Sequence, residues 1–327
     1  MENERNWGVM GLGKIAHKFA QDLVQVPGAN LHAVGSRSEG KAKAFANEYQ
    51  VTKTYASYEE LAKDPELDII YIATPHSLHF ENTMMCLNAG KSVLCEKPIA
   101  LNAQQAEQMI ALAKKKNLFL MEGIWTRFIP ATQKVLDLLS EGLIGEIQYI
   151  KSDFGFRMSA PPESRLRDPK LGGGALLDIG IYPLYLSLLL LGEPQRLKAE
   201  AILDDRGIDT YCAIIGQFAG KAKSVMEASF LSHTQTEAFI YGIKGFIHMK
   251  SPFHNCSDIE VTTYETNTTE VYHLPITGNG YFHEIEHVQQ CLQQGKTESD
   301  LMPQEMSASL MKHLDKIRAS IGLEYNA

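Results

Sequence analysis

A short apolar run, Trp7-Gly8-Val9-Met10, passes straight into Gly11-Leu12-Gly13-Lys14-Ile15-Ala16 and then into an amphipathic stretch that ends at Pro27-Gly28. Few strings restrict a fold more. Gly11 permits a tight strand-to-helix turn, Gly13 leaves the backbone bare, and Ala16 is small enough for the helix to pack on the strand. The bare turn and the positive end of the following helix together suit a pyrophosphate. The motif predicts a dinucleotide-binding βαβ unit in which Gly11, Leu12, Gly13, Lys14 and Ile15 meet the cofactor.

The next hundred residues keep the same rhythm. Strand-like runs lie at 31–35, 53–55, 69–73, 92–95 and 118–121, with helical stretches between them. Residues 79–88 read as a helix. In the helix that Asn102 caps, Gln105 stands three residues on, and Ala106, Met109, Ile110 and Ala113 form an apolar face at helical spacing. Strands alternating with helices in this way predict an α/β Rossmann domain, a doubly wound parallel sheet, over 1–122.

After residue 123 the pattern changes. Helices are expected at 129–140 and 175–191, then strands near 199–203, 211–218, 224–230, 239–243, 246–249, 259–264 and 271–274. Gly242-Ile243-Lys244-Gly245 reads as a hairpin turn, and helices at 281–294 and 304–321 end the chain. Residues 123–327 therefore form a second, α+β domain built on a large, mostly antiparallel sheet. Such a sheet can leave one face open, and an open face is commonly covered by a second subunit. A homodimer or higher homo-oligomer through this sheet is the expectation.

Bulk properties exclude several classes. A net charge of −8 argues against a nucleic-acid partner, which calls for concentrated Lys and Arg. The start, Met1-Glu2-Asn3-Glu4-Arg5-Asn6, lacks the apolar core of a signal peptide, and 184–191 is too short to span a membrane. Five scattered cysteines without a CxxC fit a reducing cytoplasm.

Two further places carry chemistry. The second strand ends in Gly35-Ser36-Arg37-Ser38, with no acid before Glu39 and with Lys41 close by. A carboxylate there would hold a ribose 2′-hydroxyl, whereas a guanidinium suits a 2′-phosphate. Ser36, Arg37 and Ser38 thus favour NADP, with NAD the lesser alternative. Glu96-Lys97-Pro98 follows the fifth strand, at the carboxyl edge where such sheets bind their ligands. The proline restricts the backbone and fixes where the Lys97 ammonium points.

These motifs, together with Gly172-Gly173-Gly174-Ala175-Leu176-Leu177-Asp178-Ile179-Gly180-Ile181-Tyr182, resemble the glucose–fructose oxidoreductase / inositol dehydrogenase (Gfo/Idh/MocA) family over essentially the whole chain. Met121-Glu122-Gly123-Ile124-Trp125-Thr126-Arg127-Phe128 and Tyr182 place the wording closest to its dimeric trans-dihydrodiol dehydrogenase / NADP-dependent D-xylose dehydrogenase branch. The resemblance implies NADP(H)-dependent hydride transfer at a secondary alcohol or carbonyl of a sugar, polyol or cyclic trans-diol, in a cytoplasmic enzyme. It makes Lys97 and Tyr182 an acid–base pair with Asp178 on the same helix face at i, i+4. It also brings the loop Thr74-Pro75-His76-Ser77-Leu78-His79, with Glu96, Trp125 and Arg127, to the cofactor. His79, Trp125 and Phe154 would wall the substrate pocket with Asp178 and Tyr182. Arg157, Arg165 and Arg167, in the loop before the glycine run, are expected as solvated charges.

Two rivals remain. Some proteins on this fold sense a sugar or cofactor without catalysis, against which the retention of Lys97 and Tyr182 counts. His283-Glu284-Ile285-Glu286-His287 also matches HExxH, the zinc-peptidase helix motif. No third-ligand motif follows it, and Gly280-Tyr281-Phe282-His283-Glu284 fits the family's structural penultimate helix, so no metal is expected.

Overall fold

The computed structural model describes residues 4–161 and 163–325. Its first stretch runs β1 (Arg5–Met10), α1 (Lys14–Leu23), β2 (Ala29–Gly35), α2 (Glu39–Tyr49), β3 (Lys53–Tyr55), α3 (Tyr58–Ala62), β4 (Ile69–Ile72), α4 (His79–Asn88), β5 (Ser92–Glu96), α5 (Ala103–Lys116) and β6 (Leu120–Gly123). The strands pair in the order β3-β2-β1-β4-β5-β6, each pairing parallel. β4 and β5 are buried at every position, as the apolar run of β4 and the Val-Leu-Cys centre of β5 require once helices cover both faces. Side chains of Ser38, Ser57 and Asn102 cap α2, α3 and α5 by accepting the N–H groups of Lys41, Glu60 and Gln105. Strand order reverses between β1 and β4, so the ligand crevice of a doubly wound sheet opens at their carboxyl ends.

The second stretch holds α6 (Pro130–Ser140), β7 (Ile147–Gly155), α7 (Ile181–Leu191), β8 (Arg196–Leu203), β9 (Asp209–Gln217), β10 (Lys223–Ser229), β11 (Ala238–Gly242), β12 (Gly245–Met249), β13 (Asp258–Thr263) and β14 (Thr268–His273). Eight strands form one sheet, β14-β13-β12-β11-β7-β10-β9-β8, antiparallel except where β7 meets β10. β7 is absent from the strands expected from sequence, yet it holds the centre of the sheet. The hairpin at Gly242–Gly245 joins β11 to β12, and both glycines are needed there: a Cβ would run into the carbonyls of Ile144 and Thr262.

One face of this sheet packs on α7. The other shows Tyr149, Ile202, Ile215 and Val225 as exposed side chains, with Tyr149 stacked on Tyr241 at 4.4 Å and Tyr241 on Phe239 at 5.8 Å. The helical run Pro169–Leu191, which contains the segment 184–191 read as too short, is 23 residues long and apolar enough to cross a membrane by length and composition. Of its 18-residue apolar window 83% is buried inside the protein, as in the core helix of a folded domain.

Two helices close the chain, α8 (Tyr281–Gln293) and α9 (Gln304–Ile321). The compact units are not the linear halves 1–122 and 123–327. One comprises the chain up to Phe128 together with Thr277–Met311, the other Ile129–Ile276 with the remainder. Buried Asp22 of α1 explains why α8 returns. Its carboxylate accepts the N–H groups of Asn279 at 2.8 Å and Phe282 at 3.1 Å, satisfying donors at the start of α8. The indole N–H of Trp7 on β1 donates to Gln289 of α8 at 3.2 Å.

Candidate active site

The glycine turn behaves as its residue types require. Gly11 has φ +89° and donates its N–H to the Gly35 carbonyl at 3.1 Å; a Cβ there would meet Thr74 at 2.8 Å. Gly13, by contrast, has no atom within 4 Å of where its Cβ would be. It precedes α1, whose first turn receives no side-chain cap. Unpaired N–H groups at an open helix start fit the phosphates of a dinucleotide. At the end of β2, Ser36 accepts the Ser38 N–H at 3.2 Å, and Arg37 is exposed and bonds the Tyr58 side chain. The first acid, Glu39, is paired with Lys43 at 2.6 Å.

Around Lys97 the backbone is held from several sides. The Lys97–Pro98 bond is cis. The Lys97 N–H donates to Glu96 Oε2 at 3.2 Å, while the Tyr71 hydroxyl donates to Glu96 Oε1. The Ile99 N–H donates to Glu122 Oε1 at 2.8 Å. His79, fully buried at the start of α4, sets Nδ1 2.7 Å from the Pro98 carbonyl oxygen and Nε2 2.8 Å from that of Thr74. The Thr74 hydroxyl accepts from Asn82 at 3.0 Å, and the His76 ring stands edge-on to His79. Thr74, Pro75, His76, His79, Glu96 and Lys97 thus gather at the ends of β4 and β5. His79 is a brace inside that gathering rather than an exposed wall.

Trp125 stacks on Tyr281 of α8 at 4.7 Å. Arg127 is buried and donates Nε–H to the Leu301 carbonyl at 3.0 Å, tying this turn to the segment before α9. In the HExxH string the two histidines point to different partners: His283 Nε2 accepts the Thr277 N–H at 3.2 Å, and His287 Nε2 lies 2.7 Å from the Ser299 hydroxyl. Among the described residues, the group with metal-capable atoms within 4.8 Å of one another is His287, Cys291 and Asp300, without His283. Glu284 is fully buried.

In the other unit the glycine run leads into a π-helical turn, Leu176–Gly180, and only then into α7. The i, i+4 rule that would set Asp178 and Tyr182 on one α-helical face therefore does not apply directly, because the pair straddles the π-to-α junction. Buried Asp209 shapes this entry by accepting the Leu176 N–H at 2.6 Å. Gly174, at φ +123°, has no room for a Cβ against the same carboxylate. Burial pushes Asp209 up to about 7, with the N–H groups of Leu176 and Ala175 pulling it back.

Arg165 is not the solvated charge expected of it. Its guanidinium donates to Asp178 at 2.8 Å, an ion pair whose carboxylate is 9% exposed and whose arginine is 43% exposed. Arg157 is exposed, and Arg167 reaches the Ala160 carbonyl at 3.4 Å. Tyr182 sits in an aromatic cluster, 5.8 Å from Phe154 and 4.9 Å from His254, with Phe154 and His254 stacked at 4.3 Å. Sequence reading singled out Phe154 and Tyr182 but not His254. That residue follows Ser251-Pro252 in a loop with no periodic pattern to flag it.

Known proteins match nearly the whole chain. A family model described as "Oxidoreductase family, NAD-binding Rossmann fold" covers residues 5–124, and the GFO/IDH/MocA C-terminal domain covers 132–248. The trans-1,2-dihydrobenzene-1,2-diol dehydrogenase of Xenopus tropicalis is 38% identical over 331 aligned residues, 98% of each chain. The crystal structure of KijD10, a 3-ketoreductase from Actinomadura kijaniata in complex with NADP and TDP-benzene, is similar with TM-score 0.88 and 26% identity over 98% of each chain. Levoglucosan dehydrogenase in complex with NADH and levoglucosan shares the fold, with TM-score 0.89 and 20% identity over 98% of this chain and 97% of that one.

Proposed function

We propose that this chain, which belongs to the Gfo/Idh/MocA family of oxidoreductases, is an NADP(H)-dependent dehydrogenase acting on a secondary CH–OH or carbonyl of a sugar, polyol or cyclic trans-diol, with Lys97 and Tyr182 as its acid–base pair. The observation that carries the reading is the clamped Lys97–Pro98 corner at the carboxyl end of β5, in the same unit as the open Gly13 turn.

Gly11 and Gly13 with the uncapped start of α1 hold the pyrophosphate. Ser36, Arg37 and Ser38 take the 2′-phosphate, supported by the lack of an acid among residues 35–38 and by the pairing of Glu39 with Lys43. The nicotinamide, when bound, supplies the hydride acceptor or donor. In the oxidative direction the substrate hydroxyl gives its proton to the Lys97 Nζ / Tyr182 Oη pair as its C–H bond breaks. Asp178, fixed by Arg165, orients substrate hydroxyls. Phe154 and His254 offer flat apolar walls beside Tyr182, which suits a ring substrate.

The same reading takes residues 123–327 for substrate binding and dimerisation. The exposed Tyr149, Ile215 and Val225 band supports a homodimer through the large sheet. Five buried free thiols support a cytoplasmic setting. The test is an NADPH absorbance screen with aldoses, inositols and trans-diols, run with NADP and NAD in parallel. Turnover faster with NADP is expected; cofactor binding without turnover of any of these alcohols would replace the reading with a sensor.

A further inference from the structure

The carboxyls behind Lys97 belong to three elements. Glu96 ends β5, Glu122 lies in β6 opposite Cys95, and Glu284 lies on α8. All three are buried, Glu122 and Glu284 completely. Glu96 is bonded to the Tyr71 hydroxyl and the Lys97 N–H, and Glu122 to the Ile99 N–H. Glu284 differs: among the described residues neither of its carboxyl oxygens has a hydrogen-bond partner. An ionised carboxylate in that position would be uncompensated, which a folded protein avoids by keeping the proton.

The electrostatics agree with the geometry. Burial, then the charges of Glu96 and Glu122, hold Glu284 well above the usual carboxylate range. Burial raises Glu122 to about 7, with the Ser307 hydroxyl, the Ile99 N–H and the Lys97 ammonium drawing it back and Glu96 adding to the rise. Tyr71 is held well above its ordinary value by burial, then by Glu96, Tyr281 and Glu284. Buried Cys95, beside Glu122 and Glu96, is likewise raised and stays a thiol. Within this group, the Lys97 ammonium is the positive charge that acts on Glu122.

We propose that Glu96, Glu122 and Glu284 form a buried acid cluster that positions and tunes Lys97, in which Glu284 stays neutral and Glu122 is the member that exchanges its proton. Below its midpoint Glu122 is neutral; above it, Glu122 is an anion that attracts the Lys97 ammonium. The glutamate of the HExxH string is thus a buried acid of the proton-transfer machinery, not a zinc-peptidase base. The role for Lys97 rests on the function proposed above.

The resting protein tests this without any substrate, so failure here and failure of the enzymatic reading are distinguishable. In infrared pH titration, a protonated-carboxyl band that persists through neutral pH should vanish in Glu284→Gln. A second band should titrate near 7, vanish in Glu122→Gln, and shift to higher pH in Lys97→Met, because the ammonium that favours the anion is gone. With NADP and a trans-diol as probe, Glu122→Gln should lower kcat roughly tenfold and remove the acid limb of the pH profile with the cofactor KM unchanged. Absence of the Glu284 band, or a Glu122 midpoint indifferent to Lys97→Met, overturns the proposal.

Discussion

Nδ1 of His79 lies 2.7 Å from the carbonyl oxygen of Pro98, so a fully buried imidazole on α4 holds the residue that follows Lys97. Its other nitrogen meets Thr74, joining the ends of β4 and β5. His79→Ala removes both links and leaves two buried carbonyls without a partner ring, a cost of about 1–3 kcal/mol each in stability at the upper end. We expect a lower melting temperature together with a kcat loss of roughly tenfold or more from the misplaced corner. An unaltered kcat in a folded variant would show that Lys97 needs no brace.

Lys97→Ala removes the proposed proton-transfer group but leaves the glycine turn intact. Turnover should fall by roughly 10²–10⁴ while NADPH fluorescence quenching survives. Equal loss of quenching and turnover would make Lys97 a cofactor-binding residue instead.

Arg37→Ala tests cofactor choice. A charge-assisted hydrogen bond to a phosphate contributes about 1.5–3 kcal/mol, so KM for NADP should rise by about tenfold or more and KM for NAD little. Parallel steady-state kinetics with the two cofactors decide it; equal changes would assign Arg37 only to its contact with Tyr58.

Asp209 gives a pH prediction with a definite sign. Its carboxyl rises from 3.8 to about 7 on folding, chiefly through burial. Between those values the folded chain keeps a proton that the unfolded chain has released. The resulting stability is full below the unfolded value and is lost as pH rises through about 7. Asp209→Asn cannot titrate, so its melting temperature should decline less steeply over this window. Identical slopes in wild type and variant would mean that Asp209 folds as an anion.

Local signals carry much of the Rossmann half, because β1, β4 and β5 each hold a short apolar run and helices such as α2, α3 and α5 carry a side-chain cap at their start. β7 escaped notice for the opposite reason. Its polar Gln148, Lys151, Ser152 and Asp153 hide a strand whose place is set by β10 and β11, partners that are distant in sequence. Residues 277–311 show an amphipathic helix but not the surface it docks on; the decisive partner, Asp22, lies more than two hundred residues earlier. Motif and resemblance single out Phe154 and Tyr182, whose rings lie 5.8 Å apart. The Arg165–Asp178 pair, His254 and the inward turn of Glu284 were not legible, since each depends on which way a side chain faces after folding.

Gly11 and Gly13 answer to different masters. A side chain at Gly11 would injure the fold itself, through its positive φ and the nearby Thr74. At Gly13 the surrounding space is empty, so the protein alone has no objection to a methyl group there. A library sorted only for soluble, heat-resistant molecules would admit alanine at that position without penalty. Folding therefore makes no demand for glycine at position 13, and the proposed pyrophosphate contact is what would make one.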